Sequence, residues 1–270
     1  MRPRRIARFP LSDSPPNVRV RRAHTRRDRS ARPAALAEFA REVAPHIDRL
    51  AIAVHRHASP AGRAVIRSYG LPNAGVLIDV RALLLGGPIT FDDLATIERY
   101  APRDGLQTAL DEHVRQGMLA RVSNRYRLTA RGRELLERLT VIQGDTITIL
   151  WADSTAGLPM LIDATTRVIA AATSLPRERY PAFTLMHAAP DPPAATAAHR
   201  VLTRLTTLRY LRADAHAAAW SDRGLIAPHV EPHERELIEA DTNANAAPPW
   251  AALARAERER VLAAMAALTG

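Results

Sequence analysis

Gly117-Met118-Leu119-Ala120-Arg121-Val122-Ser123-Asn124-Arg125-Tyr126-Arg127-Leu128-Thr129-Ala130-Arg131-Gly132-Arg133-Glu134-Leu135-Leu136 is the stretch whose reading decides the fold. Leu119-Ala120-Arg121-Val122 and Arg125-Tyr126-Arg127-Leu128 have the length of short strands, and Ser123-Asn124 supplies the two-residue turn between them. Thr129 stands at an N-cap position, and Gly132, Leu135, Leu136 and Leu139 carry the helix that follows. Upstream, Thr90-Phe91-Asp92-Asp93 has the form of a capping box and starts a helix to about Tyr100. Ala101-Pro102 turns the chain, and a second helix runs from Arg103 to Gly117 with Leu106, Leu110 and Val114 inward. Two short helices, a β-hairpin and a helix, in that order, make a winged helix-turn-helix. The expected fold is therefore mainly α, with this module and its small hairpin followed by a helical C-terminal half.

The run from Gly117 to Leu136 also resembles the G-L-L … Y-x-L-T-x-x-G-x-x-L-L signature of MarR-like winged-helix regulators, and the resemblance as a whole covers about residues 88–140, roughly fifty of the 270. The resemblance implies double-stranded DNA as partner and a homodimer joined through helices outside the winged domain. It is more specific for fold than for DNA binding, because winged helices also serve as protein-interaction modules.

In a DNA-binding winged helix the second helix enters the major groove and the hairpin rests on the backbone or minor groove. With Leu106, Leu110 and Val114 inward, Arg103, Gln107, Thr108, Asp111 and Arg115 face out. Gln107 can contact adenine bidentately, Thr108 a thymine methyl, and Arg103 a guanine or a phosphate. Arg125 and Arg127 lie on the strand face opposite Tyr126 and Leu128 and reach toward phosphates. Charge argues less strongly: residues 88–140 hold nine Arg against eight Asp and Glu, and Asp104, Asp111 and Glu112 lie on the recognition helix itself. Phosphate neutralisation supplies much of DNA affinity, so these carboxylates weaken it.

Toward the N-terminus, Leu36, Phe39, Val43, Ile47, Leu50 and Val54 recur at helical spacing, with Pro45 as an expected kink. Ser59-Pro60 reads as the start of a separate short helix closed by Gly70, and a further helix spans Asn73 to Leu85 before Gly86-Gly87. Residues 1–32 hold eleven arginines against Asp13 and Asp28, a charge of +9, while the rest of the chain carries +1. This Arg/Pro-rich segment is expected to be a disordered tail: an arm for phosphates or anionic lipid, or, the preferred reading, a solvated tail or upstream sequence read from a misassigned start. All 38 basic residues are arginine, the bias of a high-GC genome.

The domains expected are thus the tail at 1–32, a helical lead-in and winged helix at 33–150, and a helical ligand-binding or dimerisation region at 151–270. The last is read as helices over Leu158–Ala172, Pro193–Leu211, Asp214–Asp222, Pro232–Thr242 and Pro248–Leu268. Asp222-Arg223-Gly224-Leu225-Ile226 echoes Arg115–Leu119, and Arg235-Glu236-Leu237 echoes Arg133–Leu135. A degenerate second winged helix and coincidence stand as equal explanations. Arg212-Ala213-Asp214-Ala215-His216 resembles an R-x-D-x-H segment that two-part helical proteins of high-GC bacteria pair with a winged helix; that likeness implies no function. The helices at 33–55 and 250–268 are the dimer-forming candidates, unless they close the monomer's own core.

His187, His199, Arg212, Asp214 and His216 are the candidate ligand-binding residues of the second half, suited to an organic effector held between helices. The spacing matches no metal-ligand motif, and Asp214 and His216 point to different faces, so no metal and no cofactor is expected. Zero cysteines exclude disulfides and thiolate chemistry. There is no G-x-S-x-G elbow, Walker loop or G-x-G-x-x-G, so nothing calls for an enzyme. No apolar run approaches the ~18 residues of a bilayer span. The functional expectation is a cytoplasmic, DNA-binding, MarR-like transcriptional regulator without a membrane partner. The alternatives are a small-molecule-binding protein or biosynthetic enzyme that uses the winged helix as scaffold, and an interaction module.

Overall fold

Helix α1 (Arg19–Ser68) runs fifty residues through Pro33, Pro45 and Pro60. The computed structural model describes residues 19–192, 195–224 and 231–269, and side chains from residue 33. Two expectations change here. The helix begins inside the segment read as disordered tail, since arginine is a good helix former and no proline or glycine interrupts residues 17–32. Residues 1–18 lie outside the described residues. Ser59-Pro60 does not start a new helix either: the Ser59 hydroxyl donates back to the His55 carbonyl at 2.6 Å. A proline forfeits one backbone hydrogen bond, which packing on both sides of it offsets. Gly70, at φ +68°, ends the helix, with the Leu71 N–H donating to the Ile66 carbonyl.

The next elements are α2 (Gly75–Asp79), α3 (Arg81–Gly86), β1 (Ile89–Thr90), α4 (Phe91–Ile97), α5 (Arg103–Arg115), β2 (Leu119–Val122), β3 (Arg125–Leu128) and α6 (Ala130–Leu150). The capping box at the start of α4 is formed, Thr90 accepting from the Asp93 N–H and Asp93 from the Thr90 N–H. The hairpin strands have the expected bounds. β1, too short for an alternation signal, adds a third antiparallel strand in the order β1-β3-β2, with Ile89 opposite Tyr126. Thr129 caps α6 by accepting from the Gly132 N–H. At Gly132 the helix touches the hairpin: a Cβ there would lie 2.0 Å from the Met118 carbonyl oxygen.

Beyond a 3₁₀ turn, α7 (Leu158–Ala172), α8 (Pro181–His187), α9 (Ala197–Asp222), α10 (Pro232–Ala246), a second 3₁₀ turn (Pro248–Ala252) and α11 (Arg255–Ala267) follow. The whole is mainly helical with one small sheet. The break expected between Leu211 and Asp214 is absent, because the alanine-rich run has no helix breaker, and α9 continues over 26 residues. Among the described residues no strand follows Trp151, and Arg235–Leu237 lie within α10. Leu225 and Ile226 fall outside the described residues.

The described residues form two hydrophobic cores. One joins the Leu36–Val54 stripe of α1 to Val168, Leu205, Trp250, Val261 and Met265. The other lies under α2–α6 and takes in Ala182 and Met186 of α8. The lead-in stripe of α1 shares its core with helices of the C-terminal half, and α8 is set into the core under α2–α6. Both helices named as dimer candidates close the monomer's own core.

Candidate nucleic-acid interface

Leu106, Leu110 and His113 anchor α5 in the second core, with Val114 half-buried against it. His113, which hydrophobic spacing does not single out, has its Nδ1 3.1 Å from Gln116 Oε1. Arg103, Thr108 and Arg115 are exposed and Gln107 half-buried. Each is already engaged. Arg103 Nη2 donates to Asp92 Oδ1 at 2.7 Å, and its guanidinium lies over the Phe91 ring at 4.6 Å. Gln107 Nε2 donates to Asp111 Oδ1 at 2.9 Å and to Tyr126 Oη at 3.0 Å, joining α5 to the hairpin. Thr108 donates to the Asp104 carbonyl, and Arg115 is ion-paired with Glu112.

The register pairs Val122 with Arg125 and Ala120 with Arg127, so both arginines occupy the outer face while Tyr126 is buried on the inner one. Arg125 Nη1 donates to the Pro88 carbonyl at 3.2 Å. Among the described residues neither arginine has a carboxylate partner. The basic character of the module thus sits on the hairpin, while the two arginines of α5 are paired with Glu112 on the same helix and with Asp92 of α4. Spacing along α5 alone missed Asp92, whose pairing with Arg103 spans two helices; its place in the first turn of α4 was the available signal.

The five candidates of the second half do not converge. Asp214 is buried and accepts from Arg99, from the Phe183 N–H at 2.8 Å and from the Ala182 N–H at 3.4 Å. Burial pushes its carboxyl up, while the Phe183 N–H and the Arg99 guanidinium pull it down. Arg212 faces α10, donating to Asn243 Oδ1 at 2.7 Å and Glu239 Oε2 at 2.8 Å. His216 Nε2 accepts from Trp220 Nε1 at 3.0 Å and lies 3.9 Å from Glu239. His199 is buried against Gly144, and His187 stacks on Phe183. A small, solvent-open groove between α1 and α9 is lined by Val43, Ile47, Leu208, Trp250 and, of the five, Arg212 alone. Among the described residues no group of three or more His, Asp and Glu is placed to hold a metal ion, and no helix is long and apolar enough to cross a membrane.

Burial holds the imidazoles of His113 and His199 below their ordinary value of 6.5. A folded pKa below the unfolded one contributes stability that is complete above about 6.5 and is lost as pH falls through the folded values. The melting temperature is expected to drop between pH 7.5 and 5, and the drop to shrink in the His113→Gln/His199→Gln double variant. An unchanged slope would place the acid sensitivity elsewhere.

No family model, no curated protein and no solved structure matches the chain.

Proposed function

We propose that residues 88–140, from β1 into α6, form a winged helix-turn-helix and that the chain is a sequence-specific, double-stranded DNA-binding regulator of MarR-like type, responsive to a small molecule. In this reading α5 enters the major groove and the β2–β3 hairpin rests on the phosphate backbone. The observation that carries it is the surface formed by α5 and the outer hairpin face. Arg103, Gln107, Thr108 and Arg115 lie outside both cores, and Arg125 and Arg127, on the outer hairpin face, have no carboxylate partner among the described residues. Arg103 is assigned to guanine or phosphate, Gln107 to adenine, Thr108 to a thymine methyl, and Arg115, Arg125 and Arg127 to phosphates. The test is selection from random duplexes with the full chain, followed by a salt titration. Arg103→Ala and Gln107→Ala are each expected to cost ~1–3 kcal/mol at the base they contact. Unchanged affinity together with unchanged base preference removes α5 as the reader.

The pairing of both α5 arginines with carboxylates makes a second expectation. DNA must displace Asp92 from Arg103 and Glu112 from Arg115 before either arginine reaches a phosphate. Asp92→Asn/Glu112→Gln is therefore expected to bind several-fold tighter at low salt and to steepen log K against log[salt] by up to about 0.9 for each arginine released. Equal slopes would show that neither arginine contacts phosphate.

A small-molecule-binding protein or biosynthetic enzyme with this module as scaffold is the second reading. The near-neutral α5 face and the apolar groove beside Arg212 favour it. Duplex binding that shows no base preference, with a ligand-dependent melting shift abolished by Arg212→Ala, would select it.

A further inference from the structure

We propose that Arg81, Gln143 and His199 form a binding site for a small oxyanion, a carboxylate or phosphate group, in the seam where α3, α6 and the first turn of α9 meet. Arg81 begins α3 and donates from Nη2 to Gln143 Oε1 at 2.5 Å, across 62 residues of sequence. Gly144 follows Gln143 on α6, and the His199 imidazole lies against it: a Cβ at Gly144 would stand 3.0 Å from His199 Nδ1. A side chain there would displace the ring, so the glycine lets α9 bring His199 beside the residue that holds Arg81. His199 is 6% exposed, and Thr196 fixes its backbone by accepting from its N–H at 3.2 Å.

What this seam offers is donors. Gln143 engages its carbonyl oxygen with Arg81, which leaves its amide N–H groups, and Arg81 keeps Nε and Nη1. Among the described residues none of these, and neither ring nitrogen of His199, has a hydrogen-bond partner. Arg81, half-buried, has no ion-pair partner among them either. The carboxylates whose charge reaches the pair are both exposed: Asp79 acts on Arg81, and Asp191, which acts on His199, is itself paired with Arg204 at 3.3 Å. Burial pushes the Arg81 guanidinium down to about 10, and burial together with the Arg81 charge holds the His199 imidazole below 6.5. Two cation-forming groups thus lie close together without a bound counter-charge, and an oxyanion between them supplies it. The planar guanidinium matches two oxygens of a carboxylate or phosphate, and the amide and the imidazolium donate to the remaining lone pairs. The site stands independently of what α5 binds.

The test titrates the full chain with acetate and with inorganic phosphate, against chloride at constant ionic strength, following the His199 ring resonances by NMR and the Tm. An oxyanion is expected to raise the pKa of the His199 imidazole and to raise the Tm by a few degrees, saturating with a Kd of about 1 mM. A response to acetate alone identifies a planar carboxylate as the ligand group and a response to phosphate alone a tetrahedral one; either upholds the site. Arg81→Gln should weaken binding at least about ten-fold, and Gln143→Leu about three-fold. Should Arg81→Gln not fold, Arg81→Lys decides: it keeps the charge, loses the planar fork and should weaken binding at least about three-fold. The arginines of residues 1–32 also attract phosphate, so a response that survives unchanged in the Arg81 variant overturns the proposal. So does a His199 resonance that neither anion moves beyond the chloride control at about 50 mM.

Discussion

An Asp214→Ala variant is expected to lose about 3–5 kcal/mol of unfolding free energy at pH 7, read from the urea midpoint at unchanged m-value. The Asp214 side chain is wholly buried, and it joins three things that local sequence does not connect. Arg99 follows the last turn of α4, at the turn into α5; the Ala182 and Phe183 N–H groups begin α8. Truncation leaves a mostly buried guanidinium without a counter-charge and two inner backbone donors without an acceptor, and leaving such groups unsatisfied costs more than the net worth of the bonds. Asp214→Asn keeps an acceptor for Phe183 while uncoupling Arg99, so its loss should be smaller. Hydrogen exchange should quicken in both variants at 98–103, and in the alanine variant also at 182–183. If Asp214→Ala unfolds at the parent's urea midpoint, this carboxylate is not what holds the two cores together.

Gly132→Ala is expected to be comparably damaging, at about 3 kcal/mol or more, because the added methyl meets backbone rather than a side chain that can turn away. The Met118 carbonyl, 2.0 Å from the new Cβ, is itself held by the Thr129 N–H at 3.1 Å, and the Thr129 hydroxyl donates to the neighbouring Gly117 carbonyl at 2.6 Å. The carbonyl cannot swing aside without undoing the cap of α6, so the helix and the hairpin must separate. Gly105→Ala is the control. It lies in α5 with nothing within 4 Å of its Cβ position, and the same methyl there should stabilise by about 0.5–1 kcal/mol through helix propensity alone. Thermal unfolding of the two variants should move in opposite directions. A Gly132→Ala protein as stable as the parent would mean that helix and hairpin are not in close contact.

These two glycines show what sequence reading can reach. The Thr90 and Thr129 caps, the hairpin bounds and the Leu36–Val54 stripe are local statements, carried by a few consecutive residues or one helical period, and each is found in place. Pro60 and the Leu211–Asp214 join were misjudged because each looks like a boundary until its packing on both sides is known. β1 and α8 are too short to carry a period and exist because β3 and the second core receive them. At the candidate interface, which residues of α5 face outward was legible from three leucine- and valine-bearing positions. What those residues do in the folded chain was not: Asp92 lies eleven residues before Arg103, and Tyr126 nineteen after Gln107. The dispersal of His187, at the end of α8, and of His199, Asp214 and His216 along α9 has the same origin, since closeness along the chain is not closeness in space.

Helix α1 also sets a problem of timing. Its apolar stripe at Leu36–Val54 is synthesised roughly two hundred residues ahead of Trp250, Val261 and Met265, which cover it. At about 5–20 residues per second, roughly two hundred residues of synthesis leave that stripe waiting some 10–40 s for its partners. During that interval the nascent chain presents a long amphipathic helix to whatever in the cell binds such surfaces.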